Sequence, residues 1–85
     1  MNIMDKHKIY QYLKTNDLTL GIEIIYDYCI DNGKNPELTD LFLNIIGFDF
    51  GFIKLLANYA INKYLTDNDI TLVFDKYGKY VMMYE

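Results

Sequence analysis

The spacing of apolar residues changes once along this chain, and that change limits the fold more than any motif does. From Asp5 to about Leu65 apolar residues recur at intervals of three and four, the period of a helix. From Ile70 to Glu85 they alternate, the period of a strand. The expected class is therefore α+β: four short helices followed by a C-terminal antiparallel β-hairpin packed on them. A chain of 85 residues buries only roughly 60% of its unfolded surface, so residues 1–85 are expected to form a single domain. Hydrophobic residues make up 52% of the chain, well above a disordered composition, with no repeat, low-complexity stretch or linker.

Each helix has its own start and stop signals. Asp5 can cap a first helix over 5–14, with Ile9, Tyr12 and Leu13 on one face and Thr15-Asn16 as its stop. Asp17 can cap a second over about 18–31, closed by Asn32-Gly33. Its apolar face is read as Leu18, Ile22, Ile25, Tyr26, Cys29 and Ile30. The opposite face carries Glu23, Asp27 and Asp31, four apart. Asn35-Pro36-Glu37 starts a third helix that Gly47 ends, with Leu38, Leu41, Phe42, Ile45 and Ile46 as its buried face.

A fourth helix, about 50–65, is apolar nearly all round, with only Lys54, Asn58 and Asn62 marking a polar line. Such a helix is expected at the centre, with Leu56 fully buried. In the hairpin, Asp75-Lys76-Tyr77-Gly78 suits a type I turn with Gly78 left-handed. The turn would pair Phe74 with Tyr80, Leu72 with Met82 and Ile70 with Tyr84, placing Ile70, Leu72, Phe74, Tyr80, Met82 and Tyr84 on the inner face. Val73, Val81 and Met83 would then form an outer face more apolar than solvent requires.

Several function classes fall away on composition. With one Cys (Cys29) and one His (His7) there is neither a disulfide framework nor a Cys/His zinc site. All 8 basic residues are Lys, and the chain has no Ser and no Arg, hence no serine nucleophile and no arginine clamp. Asp49-Phe50-Gly51 matches the metal-binding tripeptide of protein kinases, but the catalytic loop and Gly-rich loop are missing, and Asp49 is better read as a helix cap. Gly33-Lys34 and Gly78-Lys79 lack the rest of a phosphate-binding loop. Asp67-Asn68-Asp69 opens like a calcium loop, yet its sixth position is Leu72 and its twelfth Gly78. Lys6-His7-Lys8 reads as solvated surface and Cys29 as a buried, inert thiol. No enzyme, metal or cofactor is expected.

The first residues, Met-Asn-Ile-Met-Asp-Lys-His-Lys, lead into no apolar run, so no secretory signal is expected, and no stretch is apolar enough for a membrane span. A reduced, cytoplasmic setting is expected. The Lys-only basic set, with many Asn, Tyr and Ile, suggests an AT-rich genome, phage or bacterial.

Charge then selects among binding functions. The chain carries 12 acids against 8 lysines, a net charge of −4. The expected function is a small acidic inhibitor that neutralises a larger, basic, nucleic-acid-handling protein partner. Immunity proteins against nuclease toxins, antitoxins and phage anti-defence inhibitors of the anti-CRISPR type have this size and charge as a class. Opposite charge speeds such encounters. The candidate contact is Glu23, Asp27 and Asp31, with Tyr28 beside them; no Lys in the second helix screens them. Replacing all three acids with Lys is expected to spare the fold. The second candidate face is Val73, Val81 and Met83, where burial would supply the affinity.

Two alternatives remain. The order helix, turn, helix, hairpin is that of a winged helix, with Lys54, Asn58, Asn62 and Lys63 facing DNA and Lys76 and Lys79 in the wing. Against it, residues 1–43 hold 7 acids and 4 bases and residues 44–85 hold 5 and 4, so neither half is basic. The other alternative is a homo-oligomeric structural protein, a homodimer in its simplest form.

Overall fold

A computed structural model describes residues 3–37, 40, 41, 44 and 49–84. The described elements are α1 (Lys6–Thr15), α2 (Leu18–Asp31), α3 (Phe50–Asp67), β1 (Thr71–Phe74) and β2 (Tyr80–Tyr84). This is the α+β order that the change of period predicts, with α3 as the last of the expected helices. The helix expected after Pro36 falls largely outside the described residues, including Leu38, Phe42, Ile45, Ile46 and Gly47. Its cap is described: Asn35 Oδ1 accepts from the Glu37 amide at 3.0 Å. Leu41, expected on the buried face, is instead 57% exposed.

The helix ends follow from local chemistry. Asp5 accepts from the His7 amide, Asp17 from Thr19 and Asp49 from Phe52, each at 2.8–2.9 Å. Each carboxylate thus satisfies an amide that has no partner within the helix. α2 and α3 end in one motif. Gly33 (φ 68°) lets the Lys34 amide reach back to Cys29 O at 2.8 Å, and Asp69 (φ 54°) lets the Ile70 amide reach Leu65 O at 2.9 Å. Asn32 and Asn68 each donate a side-chain amide to the carbonyl four residues back.

The core is built from Ile9 and Tyr12 of α1, Ile24 and Ile25 of α2, and Ile53, Ala57, Ala60, Ile61 and Leu65 of α3, closed by Met4 and Ile70. α2 packs most extensively on α3. Gly21 lets α1 approach α2: a Cβ there would lie 2.9 Å from the Tyr12 ring.

Three expectations are corrected. The inward face of α2 is Gly21, Ile24 and Ile25 with Asp27 at its edge, and Ile30 is 50% exposed. Ile24, Asp27 and Asp31 are spaced three and four apart, so the acids share a side of the helix with the core. α3 is not covered all round: Leu55 and Tyr59 are exposed and Leu56 is only half-buried. The hairpin has the expected turn, with Gly78 at φ 78° and the Asp75 amide on Lys79 O at 2.8 Å. Beyond Phe74–Tyr80, however, the pairs are Val73–Met82, Leu72–Met83 and Thr71–Tyr84, because a bulge inserts Val81. Leu72 and Met83 therefore pack on the core, while Phe74, Met82 and Tyr84 are exposed.

Candidate functional site

The acidic line of α2 faces α1 and the segment before it. Lys8 Nζ lies 2.8 Å from Asp27 Oδ2 and 3.8 Å from Glu23 Oε2. Asp27 is 9% exposed. The two oxygens of Asp31 accept from the backbone amides of Ile3 (2.6 Å) and Met4 (2.9 Å). The expectation that the acidic line is unscreened is thereby corrected: a lysine from the neighbouring helix pairs with Asp27 and two backbone amides bind Asp31, while Glu23 stays exposed. The Lys8 ammonium is held above its ordinary pKa, chiefly by the hydrogen bond to Asp27. Tyr28 lines a small hollow together with Asp31, and its ring meets Tyr59 edge to face at 5.8 Å. Burial, then the bond to Tyr59, pushes its hydroxyl pKa up.

The outer hairpin face is likewise broken up by the bulge. Val73 is half-buried, Val81 is 43% exposed, and Met83 packs against the core. Besides Val81, exposed apolar surface lies on Met82 and Tyr84 of β2, and on Leu55 and Tyr59, one turn apart on α3.

A third place emerges from the fold. Between α1, α3 and the hairpin lies a cleft of about 650 Å³. Lys14, Lys54 and Lys79 line it, with Asn16, Asn58 and Asn62 between them and Tyr12, Phe74 and Tyr80 in its walls. The Lys14 ammonium sits 5.7 Å from the ring centroids of both Tyr10 and Tyr80 and 3.4 Å from Tyr80 O. Burial raises the pKa of the Tyr80 hydroxyl, which has no hydrogen-bond partner among the described residues. The polar line Lys54, Asn58 and Asn62, legible in the sequence, forms one wall. Lys14 and Asn16 come from the end of α1, and no local signal links them to it. Of the residues assigned to a DNA-reading face, Lys54, Asn58, Asn62 and Lys79 meet in this concavity. Lys63 lines a separate, smaller hollow beside Tyr64 and Asp67, and Lys76 lies over the Tyr77 ring.

Among the described residues no group of three or more His, Cys, Asp or Glu side chains could hold a metal ion. Nor is any described helix long and apolar enough to cross a membrane. Comparison with known proteins returns no family model, no curated protein and no solved structure that matches the chain.

Proposed function

We propose that the chain is a non-enzymatic protein-binding module that inhibits a larger, nucleic-acid-handling partner, and that apolar surface rather than the acidic line makes the contact. The observation that carries this reading is the exposure of Leu55 (65%) and Tyr59 (57%) on adjacent turns of α3. Large apolar side chains side by side on a surface mark interaction sites, and Tyr is among the residues that dominate binding energy. The net charge of −4 contributes long-range attraction to a basic partner.

The test is affinity capture on the immobilised full chain from the organism that encodes it, paired with Leu55→Glu. A basic nuclease retained by the parent chain, released by the variant, and inhibited when the pure chain is added supports the reading. Recovery of the chain alone, with a dimer in sedimentation, would favour the homo-oligomer instead.

A further inference from the structure

We propose that the cleft between α1, α3 and the hairpin is a binding site for a nucleotide unit, its phosphate held by Lys14, Lys54 and Lys79. Acids outnumber lysines 12 to 8 in the chain, yet among the described residues three lysines and no carboxylate line this cleft. The two acids next in sequence to its lining residues are each bound to backbone amides rather than to a lysine ammonium. Asp17 accepts from the Thr19 amide, and Asp75 from the amides of Tyr77 and Lys79. Neither Lys54 nor Lys79 has an ion-pair partner among the described residues, so both ammonium groups are available to an anion. Lys14 is pre-positioned between two tyrosine rings. The volume, about 650 Å³, falls within the roughly 300–1,000 Å³ of small-ligand sites.

The remaining lining favours a base-bearing anion. Asn16, Asn58 and Asn62 each offer a donor and an acceptor, which suits the edge of a base. A carboxylate only accepts, so an acidic peptide could meet the three acceptors only through its backbone amides. Phe74, half exposed at the rim, offers a ring face on which a base can stack. Tyr80 also lines the cleft, and its hydroxyl is buried with no hydrogen-bond partner among the described residues. The chemistry is shared by a free nucleotide and by one unit of a single strand. This site is independent of the apolar surface proposed above for protein contact.

The experiment is an amide-resolved NMR titration of the full chain with AMP, adenosine, inorganic phosphate, a short oligothymidylate and an oligoglutamate peptide. AMP and the oligonucleotide are expected to shift Lys14, Asn16, Lys54 and Lys79, with adenosine and phosphate alone binding more weakly. The double variant Lys54→Gln, Lys79→Gln should weaken binding by about tenfold or more. Both side chains are exposed, so its melting should match the parent. Stronger binding of AMP than of the oligonucleotide assigns the site to a free nucleotide, and the reverse order to a single strand. Absence of shifts at millimolar ligand, shifts that survive the double variant, or oligoglutamate binding as tightly as AMP would overturn the proposal. Leu55→Glu should leave these shifts unchanged, which separates this site from the protein-contact reading.

Discussion

Asp27 shows how a residue can be placed correctly along a helix and wrongly around it. Its spacing from Glu23 and Asp31 puts the three acids in one line, as the sequence indicates. Which neighbour that line faces depends on Ile24, whose burial turns the helix so that Asp27 meets Lys8 at 2.8 Å. Apolar residues occur nearly all round α2, so its periodicity leaves the rotation undetermined. Asp27→Ala is expected to cost about 1–3 kcal/mol, because it strands a part-buried ammonium and removes a charged hydrogen bond. Urea denaturation measures it. The triple replacement of Glu23, Asp27 and Asp31 with Lys is expected to abolish cooperative folding, since it sets cations against Lys8 and removes both acceptors of the Ile3 and Met4 amides. The same contacts fix a pH dependence. Lys8 is raised above 10.5 chiefly by its bond to Asp27, and Tyr12 is raised above 10.0 by burial. A group whose pKa is raised on folding contributes its full stability below the unfolded value and loses it as pH climbs through the folded one. Thermal melting is therefore expected to hold steady up to about pH 10 and to fall above it. Lys8→Met should remove the lysine part of that fall.

Among the elements, what was legible depended on whether the signal was local. The caps Asp5, Asp17, Asn35 and Asp49 and the turn at Gly78 each act within four residues, and each is where the sequence puts it. The bulge at Val81 has no such marker, and a one-residue slip exchanges the faces of everything beyond it. That slip sends Met83 inward in place of Met82. In α3 the apolar residues outnumber the places in the core, so spacing alone could not separate Ile53 and Ile61, at 1% and 2% exposure, from the exposed Leu55. Ile61→Ala is accordingly expected to cost about 2–5 kcal/mol, and the half-buried Leu56→Ala less than half as much. The end of α3 gives the opposite sign. Asp69 holds a left-handed conformation at φ 54°, the role that Gly33 plays after α2. Asp69→Gly is expected to raise stability by up to about 1 kcal/mol by removing the Cβ conflict. Equilibrium denaturation of the parent and the three variants compares all of these on one scale.

At the scale of the whole chain, the α+β order was readable because the period of the apolar residues switches where the hairpin begins. The cleft was not, because it joins the end of α1 to α3 and the hairpin, residues brought together only by packing. The molecule is thin, 38 × 29 × 16 Å across its Cα positions, so few side chains can be covered on both sides and each layer depends on the next. The hairpin contributes Ile70 and Tyr80, both 8% exposed, and packs Leu72 and Met83 against the helical core. It is tied further by the Ile70 amide on Leu65 O and by the Tyr10–Tyr80 ring contact at 5.6 Å. Burying one such side chain contributes about 1.5–3 kcal/mol. Four of them reach several kcal/mol, comparable with the entire stability of roughly 5–15 kcal/mol common for small proteins. The helices should therefore not close a core without the hairpin, and a two-stranded ribbon is not stable without them. Truncation after Asp69 is expected to keep much of the helical far-ultraviolet signal while losing a cooperative thermal transition and gaining dye-binding apolar surface. A sharp transition near that of the full chain would show instead that the helices form the core by themselves, with the hairpin only resting on it.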